Sequence, residues 1–433
     1  RSRSYLLLLI CAAVLACAHA EKLPFRIPPE GKPEQLGGAL KYERPTALAF
    51  DSKNRPYMFN ACEPELFGHI LTLRDGQWTR LSYMDELKEE FPELKRPRDR
   101  DIHAPGTLTF DDADNLYAIV YAAGRPLLVY SEDLGRSFDV SRLPGNPTRA
   151  YLEVRTGHND LSRPPAIGTL TYLKDYPTRW TRYHDLSVIL PERTEDGLKL
   201  GEPIHVTDRC FGASNHSGGY SFAVTTGKKT HVTYGEIPEK PETGNPTWVA
   251  TIDRGSRQVT ARRLLVRTHP KKADVHSTPV IAADSEGYLH VMAGAHGGSF
   301  RHLRSREPDS ITSGWTDPEL LGGRQTYATL ICDDKDRLHT IFRIHPRLLH
   351  QSKPAREGAW SDKKALVAAP KGHRGYTIFY HRLFIDRKGN PYLSFTFWEQ
   401  NTKGKGQYPR VVITSADGGK TWQLARIFHE QRR

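Results

Sequence analysis

Residues 274–304 read DVHSTPVIAADSEGYLHVMAGAHGGSFRHLR, and this stretch decides the fold. An apolar run at 279–283 precedes a polar turn at 284–287, and a strand-like alternation of apolar and polar residues follows at 288–293. The pattern predicts a β-hairpin. The two strands of a hairpin run antiparallel, so residues just before the first strand and just after the second lie at one edge of the sheet. We therefore expect His276 and His296 to be neighbours, although 20 positions separate them.

The same pattern recurs along the chain as an apolar strand, a polar turn that usually opens with aspartate, and a second, alternating strand. The further copies are TALAFDSKNRPYMFN (46–60), GTLTFDDADNLYAIVY (106–121), GGYSFAVTTGKKTHVTYG (218–235), YATLICDDKDRLHTIFR (327–343) and HRLFIDRKGNPYLSFTF (381–397). The turn residues of all six copies are Asp51, Asp111, Thr225, Asp284, Asp333 and Asp386. A gap of about twice the usual spacing predicts a seventh, degenerate copy, with strands at 167–173 and 179–190.

A strand repeat of this length is typical of propeller blades. We therefore predict an all-β protein, a seven-bladed β-propeller of antiparallel four-stranded blades. A pair of β-sandwiches is the alternative, and the constant phase of the repeat favours the propeller. Two segments, SEDLGRSF (131–138) and SADGGKTW (415–422), resemble the Asp-box, or BNR, motif of sialidase-like propellers. Because Asp and Ser cap a tight turn and Gly supplies the positive φ, these boxes are expected to be structural.

The first twenty residues predict the cellular compartment. A basic start (Arg1, Arg3), an apolar core at 5–16 and the sequence Ala18-His19-Ala20 are typical of a secretory signal peptide. Residues 1–20 are therefore predicted to be removed, leaving 21–433 as a single propeller domain without a transmembrane segment. An alternative is lipoprotein anchoring at Cys17. Both readings predict a secreted or periplasmic protein.

The formal net charge is +12 and the pI about 9.3, which favours an acidic partner. Basic residues are spread along the chain and form no basic arm, so we expect an acidic polysaccharide, no nucleic acid, and a monomer. The predicted mature chain keeps Cys62, Cys210 and Cys332, which allow at most one disulfide. Cys332 is expected to be a core thiol. A zinc site with Cys62 or Cys210 is not supported by the spacing, while a structural Ca²⁺ or Zn²⁺ ion is left open.

Polar residues recur at a similar distance, 6 to 9 residues, before the turn residue of each copy. His276 and His103 each lie 8 residues before the aspartate of their turn, and His216 lies 9 before Thr225. Tyr327 and Tyr380 each lie 6 before theirs. In a propeller such positions gather at one mouth of the central channel, where the second strands also end with His296 and Arg343. The alternative is that each histidine caps a strand or binds a neighbouring blade.

A mouth rich in His, Tyr and Arg suits β-elimination on a uronic acid. Arg or protonated His can neutralise the carboxylate so that the C5 proton becomes acidic, and His or Tyr can move protons. A serine hydrolase would need a nucleophile elbow, which is not evident. A glycosidase would need two facing carboxylates, and Asp274 and Glu236 are not paired by phase. A metal held by His103, His216 and His276 stays open.

The segment from Asp274 to Gln400 resembles the BNR-4 repeat propellers, which include ulvan lyases of polysaccharide lyase families 24 and 25. The matching pieces are VHSTP (275–279), the turn and strand DSEGYLHV (284–291), GAHG (294–297), Tyr327 with Arg343 sixteen positions later, and Tyr380 before DRKG (386–389). The resemblance implies that His276, His296 and Tyr327 are proton-transfer candidates. It implies that Arg343 neutralises the carboxylate and that Tyr380 contributes to the pocket. Arg382, His216 and His103 are the further substrate-binding candidates, and no cofactor is required for the chemistry.

Two rival functions remain open. Phe25-Arg26-Ile27-Pro28 resembles the FRIP motif of sialidases, although Pro29-Glu30-Gly31 follows and breaks a strand. A non-catalytic glycan-binding propeller is the other rival, because Trp180, Trp248 and Trp398 could stack on sugars. The sequence favours a secreted lyase that cleaves an acidic polysaccharide, with His276 and Tyr327 as acid and base in an order it does not assign.

Overall fold

The computed structural model describes residues 25–26, 47–59, 68–92, 107–122, 124–177, 181–213, 221–268, 273–294, 296–345, 347–368, 378–397, 399–400, 406–407 and 410–425. Seven antiparallel sheets, or blades, follow one another along these residues. All blades except the sixth have four strands. The sixth has four strands and a fifth that is added at its outer edge. The predicted seven-bladed β-propeller is confirmed. The predicted signal peptide lies outside the described residues.

The strands are as follows in chain order. A short β1 (Phe25–Arg26) comes first. Blade 1 contains β2 (Ala47–Phe50), β3 (Pro56–Phe59), β4 (His69–Arg74) and β5 (Gln77–Ser82), and helix α1 (Met84–Glu90) follows it. Blade 2 contains β6 (Thr107–Phe110), β7 (Leu116–Ala122), β8 (Arg125–Ser131) and β9 (Asp139–Arg142). Blade 3 contains β10 (Arg149–Leu152), β11 (Ile167–Asp175), β12 (Arg182–Ile189) and, after an inserted hairpin of β13 (Glu192–Thr194) and β14 (Gly197–Lys199), β15 (Ile204–Cys210).

Blade 4 contains β16 (Ala223–Thr226), β17 (Lys229–Gly235), β18 (Pro246–Asp253) and β19 (Gln258–Arg267), with a 3-10 turn at Pro241–Thr243. A 3-10 turn at Val275–Ser277 leads into blade 5, which contains β20 (Val280–Ala283), β21 (Leu289–Ala293), β22 (Gly298–Arg304) and β23 (Glu319–Gln325). Blade 6 contains β24 (Ile331–Cys332), β25 (Arg337–Ile344), β26 (Arg347–Pro354) and β27 (Lys364–Ala368). Blade 7 contains β28 (Ile378–Ile385), β29 (Pro391–Phe397), and, after an inserted hairpin of β30 (Glu399–Gln400) and β31 (Gly406–Gln407), β32 (Arg410–Thr414) and β33 (Gln423–Leu424).

The core is divided among the seven interfaces between neighbouring blades. Alternate side chains of a strand point to opposite faces of its sheet, so each blade packs on both neighbours. On β20, Val280 packs with blade 6 and Ile281 packs with blade 4. The ring is closed by a cluster that joins blade 1 to blade 7, in which Phe50 and Phe384 are buried.

The aspartate at each predicted turn caps that turn. Oδ1 of Asp284 accepts hydrogen bonds from the backbone N–H groups of Glu286 (3.1 Å) and Tyr288 (2.9 Å). Asp111, Asp333 and Asp386 accept the same pair of bonds, and Asp51 accepts the second of them. A short side chain that accepts from the backbone two and four residues on explains why aspartate recurs at this position.

Blade 3 differs from the prediction. The expected strands at 167–173 and 179–190 are the second and third strands of this blade, β11 and β12, and not its first hairpin. The inner strand is β10, which was not predicted. Glu153 follows β10 where five of the other blades carry aspartate. Its longer carboxylate reaches the N–H (2.5 Å) and Oγ1 (2.7 Å) of Thr225, the residue at this position in blade 4.

The turns also join neighbouring blades. The N–H of Ser52 in blade 1 donates to Asp114 of blade 2 (2.7 Å), and the N–H of Ser285 in blade 5 donates to Asp336 of blade 6 (2.8 Å). Between blades 7 and 1, the N–H of Arg387 donates to Asn54 Oδ1 (2.8 Å). Among the described residues, the strands of blade 7 all come from the C-terminal part of the chain, so this contact and the apolar cluster help to hold the ring closed.

A long loop of blade 3, residues 153–166, crosses the turn end of the propeller; we refer to it as the crossing loop. Its backbone forms hydrogen bonds to four other blades. These bonds join Leu161 O to Asp112 N in blade 2, Asp160 N to Thr225 O in blade 4, His158 N to Ala283 O in blade 5, and Thr156 O to Cys332 N in blade 6. The Arg155 side chain reaches a fifth, donating to Asp386 O (2.7 Å). The crossing loop therefore ties together most of the blades at this end.

Both predicted Asp-boxes form tight turns between the third and fourth strands of their blades. In the first, Ser131 Oγ donates to Asp133 (2.8 Å) and accepts from Gly135 N (2.8 Å), and Gly135 has a φ of 83°. The second box repeats the bonds with Ser415, Asp417 and Gly419. The motifs are structural, as predicted. No helix among the described residues is long and apolar enough to cross a membrane.

Candidate active site

One carboxylate organises the histidines predicted from the hairpin. Asp274 caps the 3-10 turn before blade 5, accepting from His276 N (2.9 Å). Its Oδ1 also accepts from His276 Nδ1 and its Oδ2 from His296 Nδ1, both at 2.6 Å. The two imidazole rings lie 4.8 Å apart between centroids, so the predicted proximity of these histidines is confirmed.

Close backbone packing brings the two ends of the hairpin together. Gly294, just after β21, lies against the turn that carries His276. A Cβ atom at position 294 would lie 2.7 Å from Ser277 O and 2.8 Å from Ser277 C. Glycine is therefore required at this position for His276 and His296 to share Asp274.

Tyr327 of the next blade completes the aromatic part of the cluster. Its ring centroid lies 5.7 Å from that of His276 and 5.8 Å from that of His296. Tyr327 has a φ of 66°, in the left-handed region that residues other than glycine rarely occupy. Such local backbone strain persists only where the surroundings hold it, and it is often found at functional sites.

Arg343 and His381 hold Tyr327 in this conformation. The guanidinium carbon of Arg343 lies 4.5 Å from the Tyr327 ring centroid, and the backbones of Arg343 and Thr326 exchange two hydrogen bonds of 3.0 Å. His381 Nε2 lies 2.8 Å from Tyr327 O. Burial lowers the pKa of His381 to about 4, so this imidazole is neutral near pH 7 and donates from Nε2.

The electrostatics of the cluster depend on Asp274. Burial of its carboxylate disfavours the charge, but the hydrogen bonds from His276 and His296 outweigh burial and hold the pKa of Asp274 well below its usual range. The carboxylate therefore stays ionised and fixes Nδ1 of both rings as hydrogen-bond donors. Nε2 of each ring then points away from the carboxylate. The side chain of His296 is 37% exposed and that of His276 13%, so a ligand would meet His296 first.

Asp274, His276 and His296 carry donor atoms that could hold a metal ion. In the arrangement described, however, the contacting N and O atoms are 2.6 Å apart. Ligand atoms that share one zinc ion are roughly 3.3 Å apart or more, given Zn–N and Zn–O bonds of about 2.0 Å. The observed geometry is that of hydrogen bonds. The metal set considered from sequence, His103 and His216 with His276, lies partly outside the described residues.

The other residues predicted from sequence lie outside this cluster or outside the part of the chain that the structure describes. Arg382 is buried on β28 and lines a cavity in the central channel with Ala47, Thr107 and Ser221. Tyr380 lies on the same strand, but its side chain is outside the described part of the chain, as are His103 and His216. Glu236 lies apart from the cluster and bonds to Thr207 and Arg262. Trp248 packs under the guanidinium of Arg262, 5.2 Å from its ring, and Trp180 and Trp398 are outside the described residues.

Two residues of the cluster were not assigned a role from sequence. Asp274 was seen as a carboxylate without a partner, yet it orients both histidines. His381, which begins the last copy of the repeat, has no role assigned from sequence, yet it supports Tyr327. The signal for Asp274 was present as the pattern Asp-x-His at the start of a short turn, where aspartate is favoured as a cap.

The fold and the cluster together define a seven-bladed propeller with a His–His–Tyr–Arg group at one end of its inner strands. Residues 243–426 match the sequence model of the BNR repeat-containing family, so the resemblance drawn from the motifs is confirmed for this part of the chain. No curated protein matches the chain at a significant level.

Three solved structures are among those similar to this chain. An ulvan lyase of polysaccharide lyase family PL25, bound to -[GlcA(1-4)Rha3S]-, is 18% identical with a TM-score of 0.37 over 48% of this chain and 53% of the lyase. An α-L-arabinanase of Penicillium chrysogenum is 15% identical with a TM-score of 0.40 over 70% of this chain and 92% of the arabinanase. A sialidase of Trypanosoma rangeli is 10% identical with a TM-score of 0.39 over 70% of this chain and 52% of the sialidase. The chain spans about half the length of the ulvan lyases it matches.

Proposed function

We propose that the protein is a polysaccharide lyase that cleaves a uronic-acid-containing acidic polysaccharide by β-elimination. One observation carries the proposal, namely the single cluster in which Arg343, Tyr327 and two imidazoles held by Asp274 are in contact. β-Elimination needs a cation for the carboxylate, a base for the C5 proton and an acid for the leaving O4. The cluster contains a group suited to each requirement.

Arg343 is the group that would neutralise the uronate carboxylate. A guanidinium can form two parallel hydrogen bonds to a carboxylate, and charge on that carboxylate grows as the C5 proton leaves. Arg343 is 6% exposed, so its charge acts in surroundings that screen it less than water does. The net charge of +12 also favours a polyanionic substrate.

Tyr327 and His276 are the proposed base and acid, in either order. The rings of Tyr327 and His276 are neighbours, with centroids 5.7 Å apart. A sugar bound against both could therefore lose a proton to one and gain a proton at O4 from the other. His296, the more exposed imidazole, would position the sugar. Asp274 is a positioning residue, because it keeps the Nε2 atoms of both histidines directed away from itself and toward a ligand.

A hydrolase is less well supported by this geometry. Retaining and inverting glycosidases use two facing carboxyl groups, one of which must be available to protonate the leaving group. The carboxylate in this cluster, Asp274, already binds both imidazoles and has a lowered pKa. It is therefore unsuited to serve as a general acid.

The test is a panel of uronate polymers (ulvan, heparan sulfate, chondroitin sulfate, pectate and alginate) incubated with the purified protein. Elimination creates an unsaturated uronyl end that absorbs in the ultraviolet, whereas hydrolysis creates reducing ends without this absorbance. We expect absorbance to rise with at least one polymer and the rise to disappear in Arg343→Ala and His276→Ala. New reducing ends without absorbance would replace the lyase by a hydrolase, and tight binding without cleavage would indicate a binding module.

A further inference from the structure

A second group of chemically active side chains lies at the opposite, turn end of the propeller. His158 of the crossing loop reaches blade 6, where it meets Cys332 at the end of β24 and Asp336 in the following turn. One donor atom from each residue lies within 4.8 Å of the other two. From sequence, Cys332 was expected to be a core thiol without a further role.

Two distances within this group are close to those between ligands of one ion. His158 Nε2 lies 3.3 Å from Asp336 Oδ1, and Cys332 Sγ lies 3.9 Å from the same oxygen. With Zn–N and Zn–O bonds of about 2.0 Å and a Zn–S bond of about 2.3 Å, tetrahedral ligand atoms are roughly 3.3–3.6 Å apart. The His158–Asp336 pair is already at the separation of two zinc ligands, and Cys332 Sγ is a few tenths of an ångström too far from the same oxygen. The contacts around Asp274, at 2.6 Å, are instead too short for two ligands of one zinc ion.

The surroundings hold the Asp336 carboxylate and the backbones of His158 and Cys332 in place. The Asp336 carboxylate accepts from both the N–H and the hydroxyl of Ser285. Backbone bonds from His158 N to Ala283 O (3.1 Å) and from Cys332 N to Thr156 O (2.7 Å) hold the crossing loop against blades 5 and 6. Gly157 allows this approach, because a Cβ there would lie 2.3 Å from Ala283 O. Hydrogen-bonded support of this kind is typical of metal ligands.

Blades 2 and 6 have equivalent turns, and comparing them shows which residues of the group the fold itself requires. Blade 2 repeats the turn with Asp114, which accepts from the N–H and hydroxyl of Ser52 just as Asp336 does from Ser285. The residue that corresponds to Cys332 in blade 2 is Phe110, which packs in the apolar core. An Asp–Ser pair is thus sufficient to join two blades. The thiol and the imidazole in blade 6 are additional.

We propose that His158, Cys332 and Asp336 bind one zinc ion that clamps the crossing loop to blade 6. A thiolate and an imidazole select zinc over calcium or magnesium, which prefer oxygen ligands. On binding, the Cys332 thiol gives its proton to solvent, and its sulfur bonds to the metal. The fourth position is taken by water or by Asp333 O, which lies 3.2 Å from His158 Nε2. The site is structural and stands independently of the proposed lyase chemistry.

The experiment measures metal content of the purified full chain by inductively coupled plasma mass spectrometry after dialysis against metal-free buffer, with and without prior incubation with zinc. About one zinc per chain is expected in the unaltered protein, and Cys332→Ser and Asp336→Asn should lose it. Two matched controls should retain it. Cys210→Ser removes the other free cysteine of the described residues, which is also buried, and Asp114→Asn breaks the equivalent Asp–Ser pair in blade 2.

Replacement of zinc by cobalt keeps the test valid even where a variant fails to fold. Cobalt bound through Cys332 gives the unaltered protein a sulfur-to-metal charge-transfer band and the visible absorption of a tetrahedral ion. The proposal is overturned if the chain binds no zinc, or if bound cobalt shows no sulfur band. It is also overturned if zinc persists in Cys332→Ser and is lost instead in Asp274→Asn, since the ion would then belong to the candidate active site.

Discussion

The guanidinium of Arg343 lies over the ring of Tyr327, 4.5 Å from its centroid. This relationship joins the group proposed to hold the substrate carboxylate to a group proposed to move its proton. Arg343→Lys should lower kcat/KM on the responsive uronate polymer about 10²-fold or more, because lysine keeps the charge but loses the planar fork that matches a carboxylate. Arg337→Lys, at the other end of β25, is the control and should leave the rate unchanged. Equal rates for the two variants would remove Arg343 from the site.

Tyr327→Phe should lower the rate of unsaturated product formation about 10²–10⁴-fold, the usual contribution of a proton-transfer group. The ring, its packing and its backbone conformation are retained, so the melting temperature should change little. Tyr83→Phe removes a fully buried hydroxyl in blade 1 and should keep full activity. If Tyr327→Phe retains activity, proton transfer falls to His276 and His296.

Asp274→Asn should lower activity about 10²-fold or more while the fold persists. The two rings bind different oxygens of Asp274, and in asparagine one of these atoms becomes an NH₂ group that donates, so at least one imidazole changes its tautomer or turns. The pH profile of kcat should shift, and Asp274→Glu should restore part of the activity, which a merely structural role would not produce. Asp185→Asn breaks an Asp–His pair elsewhere, with His205 at 2.7 Å, and should leave the rate unaltered.

Gly294→Ala should damage the site through the backbone. The added Cβ would lie 2.7 Å from Ser277 O, so the turn that carries His276 has to move away from His296. We expect a loss of about 1–3 kcal/mol in unfolding free energy and a larger fall in kcat than in substrate affinity. Gly323→Ala is the control, because a Cβ there meets nothing within 4 Å. Full activity in Gly294→Ala would show that the two histidines need not share Asp274.

Stability should fall as the pH is lowered from about 6.5 to about 4. Burial lowers the pKa of His381 to about 4, and burial with nearby Arg149 lowers that of His184 to about 4. The unfolded chain takes up protons on these histidines below its own pKa of about 6.5, whereas the folded chain does so only below about 4. The stabilisation is therefore complete above pH 6.5 and is lost across this window. Urea midpoints measured at several pH values should show the fall, and His381→Gln, which can still donate to Tyr327 O, should reduce the slope.

The sequence predicted the propeller because its repeating signal is local. An Asp that caps its own turn is visible in any copy, and so are the apolar strand before it and the alternating strand after it. Blade 3 lacked that signal. Glu153 replaces the aspartate, and the crossing loop separates β10 from β11.

The candidate site was predictable to the extent that hairpin geometry and family resemblance placed its residues. His276 and His296 followed from the hairpin, and the structure brings Tyr327 and Arg343 to them. The role of Asp274 depends on a 3-10 turn that directs one carboxylate to two rings. The pattern Asp-x-His is compatible with such a turn, but it does not show that His296 shares the carboxylate. The contact of His158 with Cys332 joins residues 174 positions apart through a loop, and no local pattern encodes it.

The bond between Asn54 and Arg387 joins residues 333 positions apart, and with the Phe50–Phe384 cluster it closes the ring between blades 1 and 7. Contacts between neighbouring blades can form as each blade becomes available, but this one requires that all seven be in place. Closure of so long a loop is slow, since its entropic cost is met before the contact forms. Blade 1 therefore has to keep one apolar face uncovered until the last blade docks, and this waiting period is when the chain is most exposed to aggregation.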